Sequence, residues 1–117
     1  MPTAPTLHWL ALDACASTND VAAQQAESLA PGHYLAVTAQ RQTAGRGQSG
    51  RRWTMPEGAG IAFSVATRLP PQTNLEGLSL AVGAALAERL ELLDLPVRLK
   101  WPNDLLVAER KLGGILV

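Results

Sequence analysis

Apolar and polar residues form short periodic blocks along the first third of the chain. Residues 7–12 are an apolar run typical of a strand, and residues 34–39 are a second run of this kind. Between them, Ser17 and Asp20 have the spacing of a capping box, which predicts a helix over 18–29. A Pro-Gly pair follows and ends that helix. The pattern therefore predicts a strand, a helix and a second strand.

Residues 41–60 lose this periodicity and contain five glycines and four arginines. After them, Ile61, Phe63 and Val65 alternate with smaller residues, which is typical of a half-buried strand. Asn74 can cap a long helix that follows the Pro70-Pro71 break. The apolar residues of that helix recur every three or four positions and predict one buried stripe: Leu75, Leu78, Val82, Leu86, Leu90 and Leu93.

Two further strands are expected over 97–101 and 112–117, joined through Pro102-Asn103-Asp104 and a polar turn near Glu109-Arg110. The order β-α-β-loop-β-α-β-β is typical of a mixed α/β or α+β domain. The chain stops on an apolar strand, and an unpaired strand edge is a poor natural end. We therefore expect residues 1–117 to be one incomplete domain whose sheet continues.

Composition narrows the class of protein. The 117 residues suit one domain, and 47% of them are hydrophobic, which is too many for a disordered tail. Ten Lys+Arg balance ten Asp+Glu, so nothing attracts nucleic acid or an anionic membrane at long range. Cys15 is the only cysteine, which excludes an internal disulfide. With no signal-peptide pattern and no apolar run long enough to span a membrane, we expect a cytoplasmic protein.

The segment over 42–53 combines glycines with arginines. Its glycines let the backbone approach a ligand and present N–H groups to an anion, and its arginines suit phosphate or carboxylate. No Gly-Lys-Ser/Thr follows, so it is not a Walker loop. A flexible basic surface loop explains the composition equally well, whereas a nucleic-acid patch is disfavoured by the neutral remainder of the chain.

Three other segments carry candidate chemistry. The Lys100-Trp101-Pro102-Asn103-Asp104 run is either a turn or a nucleotide contact, with Lys on a phosphate and Asp on Mg²⁺ or a ribose hydroxyl. Lys111-Leu-Gly-Gly-Ile repeats the association of a lysine with glycines. Ser17-Thr18-Asn19 suits helix capping, and its polar groups can also bond a small molecule there. His8 and His33 lie far apart in the sequence and are interpreted as structural or exposed.

In this order, the four motifs resemble those of the biotin protein ligase catalytic domain, from Ser17 to the last residue. The resemblance implies an α+β fold with a mixed, mostly antiparallel sheet and helices packed on it, similar to class II aminoacyl-tRNA synthetases. It also implies that later strands and a small C-terminal domain are missing from residues 1–117. No helix-turn-helix region precedes the domain, so we do not expect the repressor role of some relatives.

The resemblance implies an activity as well. Members of this family activate biotin with ATP to give biotinyl-5′-adenylate, with Mg²⁺ as the ion. They then transfer biotin to a lysine of the biotin carboxyl-carrier protein of acetyl-CoA carboxylase or a related carboxylase. The expected partners are therefore biotin, ATP and this carrier, with neither nucleic acid nor membrane, and the sequence leaves open whether the chain forms a homodimer.

Site residues follow from the same resemblance. The implied biotin contacts are Ser17, Thr18, Asn19, Gln42, Arg46, Gly47, Gln48 and Lys111. The implied nucleotide contacts are Arg51, Trp53, Lys100, Asn103 and Asp104, with Asp104 also the candidate Mg²⁺ ligand. Lys111 and Arg46 are the implied catalytic cations. The chemistry brings an ionised carboxylate to a negative phosphate, so it needs counter-charge and positioning rather than a side-chain nucleophile.

One departure from the family pattern concerns the segment over 42–53, which we call the glycine loop, where family members often carry Arg-Arg and this chain carries Gln48-Ser49. We expect a looser grip on the adenylate, because glutamine brings no charge. Two other functions stay open: a non-catalytic, incomplete fragment that binds biotin or its adenylate, and a lipoate or octanoyl ligase. The Gly-Arg-Gly sequence of the loop argues against a lipoate or octanoyl ligase.

Overall fold

The structure, a computed structural model, describes residues 4–117. The first three residues of the expected 1–117 domain, and of the N-terminal segment that lacks a signal-peptide pattern, lie outside this range. The chain divides into two compact units. One comprises the described residues up to Arg46 together with Gly50–Thr73, and the other comprises Gly47–Ser49 and Asn74–Val117.

The first unit contains three strands and one helix, and it confirms the elements expected there. Strand β1 spans Thr6–Cys15, helix α1 Thr18–Ala26, strand β2 His33–Gln42 and strand β3 Ala62–Thr67. The strands lie in the order β1-β2-β3, with β1 parallel and β3 antiparallel to β2. Helix α1 ends three residues earlier than the expected 18–29 span and passes through a turn before β2 begins.

Helix α1 packs on one face of this sheet, where the core of the unit lies. Val37 is completely buried, and it packs with Leu35 of the same strand and Ala22 of the helix. The buried face of β3 is not the one that carries its large residues. Its buried side chain is Ala62, whereas Phe63 and Val65 are 49% and 55% exposed. The helix therefore lies against the small residues of the strand.

The two histidines meet although they are 25 positions apart in the sequence. Thr6 pairs with His33 in the parallel ladder of β1 and β2. His8 lies two residues after Thr6 and therefore on the same face of the sheet as His33. His8 Nε2 lies 2.9 Å from His33 Nδ1, and the rings are stacked. The interpretation of these histidines as structural or exposed suits this surface contact between strands.

The second unit contains helix α2 (Leu78–Glu91) and strands β4 (Arg98–Lys100), β5 (Asp104–Val107) and β6 (Arg110–Gly114), which are antiparallel in that order. Strand β5 was not expected, because its residues follow the Asn-Asp turn directly. The last strand ends at Gly114 instead of residue 117. The turn between β5 and β6 lies one residue before the expected Glu109-Arg110, with positive φ at Ala108 and Glu109, as in a type I′ hairpin.

Helix α2 begins later than expected. Asn74 accepts a hydrogen bond from the Glu76 N–H, so it closes a local turn and does not cap the helix, whose N-cap is Gly77. The expected buried stripe is wrong for Leu75 and Leu93, which lie outside the helix and are 48% and 71% exposed, and for Val82, which is exposed within the helix. Leu78, Leu86 and Leu90 are half-buried. Gly83 is the buried residue of α2, and Leu99 and Ile115 pack closely against it.

The fold class expected from the sequence is confirmed. In residues 4–117, two helices accompany two three-stranded sheets, and every strand pairing except that of β1 with β2 is antiparallel. The protein is therefore α+β with a mixed, mostly antiparallel strand arrangement. Within the same residues, neither helix has the length and apolar character needed to cross a membrane.

Candidate active site

The start of helix α1 gathers the polar groups of Ser17, Thr18 and Asn19. Ser17 and Thr18 are buried, at 3% and 4% exposure. Ser17 is the N-cap, and its Oγ accepts a hydrogen bond from the Asn19 N–H at 3.2 Å. The capping role predicted for Ser17 is thus confirmed. The Asp20 carboxylate, which the spacing assigns to a capping box, contacts the Arg46 guanidinium.

Strand β3 adds Ser64 to this cluster. Its Oγ lies 2.8 Å from Thr18 Oγ1 and donates to Asn19 Oδ1 at 2.5 Å. Sequence reasoning missed Ser64, which was counted only among the smaller residues of an alternating strand. The sequence shows only a hydroxyl on the same strand face as Ala62 and Ala66. That this face is buried, so that the hydroxyl needs a hydrogen-bond partner, is seen only in the structure. Thr18, Asn19 and Ser64 therefore form one hydrogen-bonded network.

Gln42, the last residue of β2, also contacts the cluster. Its Oε1 accepts a hydrogen bond from the Thr18 N–H at 2.8 Å, which satisfies a donor that the first turn of a helix leaves unpaired. Because the oxygen faces the helix, the amide nitrogen of Gln42 points elsewhere. A Cβ added at Gly45 would lie 2.9 Å from this nitrogen and 2.4 Å from the Trp53 carbonyl oxygen. Gly45 is thus required by the packing of the protein itself.

Backbone pairing joins the two ends of the glycine loop. Arg46 pairs with Arg52 in an isolated antiparallel bridge, and the Trp53 N–H donates to the Gly45 carbonyl at 2.8 Å. Arg46 forms an ion pair with Asp20, and both side chains are about half exposed, at 52% and 54%. Arg51 is exposed, and Trp53 is half-buried. The first unit thus brings Arg46 beside the helix that carries the Ser-Thr-Asn cluster.

The tip of the loop contains Gly47 and Gln48, which belong to the second unit. Gln48 begins a short 3-10 turn over Gln48–Gly50, and its side chain is exposed. Ser49 and Gly50 have positive φ values of 57° and 75°. Left-handed backbone at two consecutive residues reverses the chain direction within the loop.

The remaining candidates lie on strands β4, β5 and β6 of the second unit and in the turn between β4 and β5. Lys111 Nζ on β6 lies 3.1 Å from Asp104 Oδ1 on β5, so the implied catalytic lysine and the implied metal ligand form an ion pair. Asn103 donates from its side-chain amide to the Ile115 carbonyl at 2.9 Å, and its own carbonyl accepts from the Ile115 N–H. Lys100 is exposed and lines, with Asn103 and Asp104, a small cavity beside Gly83.

Asp104 is the candidate Mg²⁺ ligand, and its Oδ1 is paired with the Lys111 ammonium. In residues 4–117, no group of three or more His, Cys, Asp or Glu side chains converges as a metal cage does. Magnesium commonly uses one or two carboxylates and completes its shell with substrate phosphates and water. Asp104 supplies one carboxylate of this kind, at 23% side-chain exposure.

Cys15, at the end of β1, is half-buried. Burial in the first place, and the negative charge of Asp20 in the second, raise the pKa of this thiol. Both causes favour the neutral thiol over the thiolate, which is the nucleophilic form of cysteine.

The sequence of the chain matches a known protein family. Residues 12–117 match the model of the biotin/lipoate A/B protein ligase family. The bifunctional ligase/repressor BirA of Salmonella typhimurium is 48% identical over 85 residues, which cover 70% of this chain and 26% of that protein. The chain thus spans about a quarter of this relative.

Two solved structures are similar in fold. One is the biotin acetyl coenzyme A carboxylase synthetase of Helicobacter pylori with bound biotinylated ATP, at a TM-score of 0.78 and 28% identity over 95% of this chain and 54% of that one. The other is the biotin protein ligase of Aquifex aeolicus in complex with biotin and ATP, at 0.72 and 38% over 95% and 45%. The family match covers all but the first eleven residues, and the chain therefore belongs to the biotin/lipoate A/B protein ligase family.

Proposed function

We propose that this chain carries the biotin-binding and adenylate-forming residues of an ATP-dependent biotin protein ligase. The reaction joins biotin to AMP with release of pyrophosphate, and then transfers the biotinyl group to a lysine amine of a carboxyl-carrier protein of acetyl-CoA carboxylase or a related carboxylase. The observation that carries the proposal is the network of Ser17, Thr18, Asn19, Gln42 and Ser64 beside Arg46. Support comes also from relatives whose names and bound ligands include biotin and ATP.

The cluster at the start of α1 suits the head of biotin, which is neutral and carries a carbonyl and two N–H groups. The buried Ser17 and Thr18 hydroxyls and the Gln42 amide offer both donors and acceptors there. A buried polar ligand group is selected strongly when the site already holds matching partners, because an analogue lacking it leaves those partners unpaired. We assign specificity for the biotin head to this cluster.

Arg46 and Lys111 are proposed as the cations that balance the reacting anions. A biotin carboxylate with an ordinary pKa near ~4.3 is ionised at neutral pH, and it must approach an α-phosphate that is also negative. At an effective dielectric of about 20, unit charges about 4 Å apart interact by roughly 4 kcal/mol. One or two cations are therefore of the right size to offset the repulsion.

The other assignments concern the nucleotide. We propose that Trp53 lies against adenine, that Arg51 and Lys100 contact phosphate, and that Asn103 and Asp104 border the nucleotide. Gly47 and Gln48 belong to the loop that closes over biotin and the adenylate. Closure of a glycine-containing loop excludes water from a reactive acyl phosphate, which favours transfer over hydrolysis. Magnesium, held with Asp104, would supply further charge neutralisation.

The test is an exchange reaction. The protein is incubated with ATP and labelled pyrophosphate in the presence of biotin, of lipoate or of octanoate. We expect biotin alone to support incorporation of label into ATP. A biotinyl-lysine on added carrier domain, detected by mass spectrometry, would establish the second half-reaction. Equal exchange with all three acids, or none with biotin, would contradict the proposal.

The alternative of a non-catalytic binding fragment rests on the length of chain, which spans from about a quarter to about half of the relatives it matches. Calorimetric titration separates this alternative from the enzyme. A fragment that binds biotin releases heat on addition of biotin yet catalyses no pyrophosphate exchange. A ligase shows both responses, and a lipoate ligase responds to lipoate in place of biotin.

A further inference from the structure

We propose that Asp20 is a positioning residue for Arg46 and thereby raises the affinity of the site for an anionic ligand. The proposal rests on the proposed function, because it concerns the cation assigned to the biotin carboxylate and the adenylate phosphate. Asp20 is the third residue of α1 and directly follows the Ser17–Asn19 cluster. Arg46 Nη2 donates to Asp20 Oδ1, which links the glycine loop to the helix.

The backbone on both sides of this contact is already fixed. The Thr43 and Ala44 N–H groups donate to the carbonyls of Cys15 and Ala16, at 2.9 and 2.8 Å. After Arg46, the chain is closed by the bridge to Arg52. These backbone contacts fix the position of the Arg46 Cα atom, whereas its long side chain needs a partner to fix its direction. Asp20 provides that partner.

The contact leaves donors of Arg46 for a ligand. A guanidinium has five N–H donors in a planar fork, and Asp20 engages the Nη2 side. The pair is about half exposed, and an exposed ion pair contributes little to the stability of a protein. Its expected effect is instead on binding, because an arginine that is already ordered loses less rotamer freedom when it meets an anion.

A competing role predicts the opposite sign. If Asp20 only competed with the ligand for Arg46, its removal would strengthen anion binding. If Asp20 directs Arg46, its removal weakens anion binding and leaves neutral ligands less affected. The direction of the change therefore decides between the two roles.

The experiment measures the affinity for biotin and for the neutral biotin amide by calorimetry. We expect Asp20→Ala to weaken biotin binding roughly three- to tenfold, with a smaller change for the amide. Asp20→Glu, which keeps the carboxylate, should restore most of the affinity. Asp20→Ala should have no further effect in an Arg46→Ala background, since the role acts through Arg46. Asp13→Ala, at an exposed acid on β1, is the matched control and should bind like the parent.

Unchanged or tighter biotin binding by Asp20→Ala would overturn the proposal, and so would a loss that persists in the Arg46→Ala background. Failure of the parent to bind biotin would count against the proposed function and not against Asp20. In that case the Nε–H resonance of Arg46 in the free protein decides. We expect an ordered signal in the parent and a mobile one in Asp20→Ala, and equal mobility in both would overturn the positioning role.

Discussion

The backbone N–H of Thr18 donates to the side-chain oxygen of Gln42 at 2.8 Å, although the two residues are 24 positions apart. The bond joins the first turn of α1 to the last residue of β2. It also orients the Gln42 amide, with the oxygen toward the helix and the nitrogen away from it. A single side chain therefore serves helix capping through one atom, and in the proposed function serves biotin binding through the other.

Two substitutions at Gln42 separate these roles. Gln42→Glu keeps an acceptor for Thr18 and places a negative charge at a helix N-terminus, so we expect the free energy of unfolding to be unchanged or higher. It loses the amide donor, so biotin affinity should fall about tenfold or more. Gln42→Met loses the cap as well and should cost about 1 kcal/mol of stability. Urea unfolding and calorimetry measure the two effects, and parallel losses in Gln42→Glu would contradict the division of roles.

The second prediction concerns Gly45. Gly45→Ala would place a Cβ 2.4 Å from the Trp53 carbonyl oxygen, which is backbone and cannot rotate away. We expect a loss of about 1–3 kcal/mol in the free energy of unfolding, as for an overpacked site, together with an altered loop base. Gly113→Ala is the matched control, because its Cβ would meet only Leu105 at 3.9 Å. Equal urea midpoints for the two variants would contradict the close approach.

Some of these structural features can be predicted from neighbouring residues in the sequence, and others cannot. Ser17 as N-cap follows from a hydroxyl at a helix start, which depends on neighbouring residues only. Strand β5, four residues long, owes its state to pairing with β4 and β6, and that pairing is not visible in so short a segment. The alternation in β3 reveals the period but not which face is buried, since α1 selects the small side.

The candidate site, too, could be predicted only in part from the sequence. The motifs identify Ser17–Asn19, Gln42 and the glycine loop as chemically distinctive, while the resemblance supplies their roles. Ser64 and Asp20 enter the cluster through contacts across 46 and 26 positions, which no local pattern encodes. The Lys111–Asp104 ion pair likewise depends on the register of β5 against β6. Contacts between distant residues are thus the part that required the structure.

The third prediction concerns Lys111. If its ammonium stabilises the transition state by about 3 kcal/mol, Lys111→Ala should lower the rate of adenylate formation roughly a hundredfold. Lys111→Arg keeps the charge in a different shape and should recover part of the rate. Arg110→Ala removes an exposed cation next to it on the same strand and serves as control. Single-turnover formation of biotinyl-adenylate is the measurement, and a loss below about threefold would remove Lys111 from the proposed role.

The fourth prediction concerns the pH dependence of Cys15. Its pKa is raised by burial and then by Asp20, so the folded protein holds the thiol proton more tightly than the unfolded chain. This contribution to stability is complete below the unfolded pKa of about 8.5 and is lost as pH rises through the higher folded value. As the pH rises above about 8.5, the free energy of unfolding of the parent should therefore fall relative to that of Cys15→Ala.

The reactivity of Cys15 offers an independent measurement of the same shift. Alkylation by iodoacetamide should show its half-maximal rate at a higher pH in the folded protein than in urea, because the thiolate is the nucleophile. Asp20→Asn removes the second cause of the raised pKa and should move the folded profile toward lower pH. Identical profiles for folded and unfolded protein would show that the thiol is not shielded.

The last prediction concerns Gln48, which is exposed at the tip of the glycine loop. In the proposed function this residue faces the adenylate, so Gln48→Arg adds a cation to a site that holds an anion. An exposed charge pair is worth about 0.2–1 kcal/mol, which predicts release of biotinyl-adenylate about 1.5- to 5-fold slower than in the parent. The difference should shrink with added salt, because exposed charges are screened. Gln48→Met, which has similar length and no charge, is the control for side-chain bulk. Dissociation is followed by stopped-flow displacement, and equal release rates at low salt for the arginine variant and the parent would show that the loop does not hold the adenylate through this position.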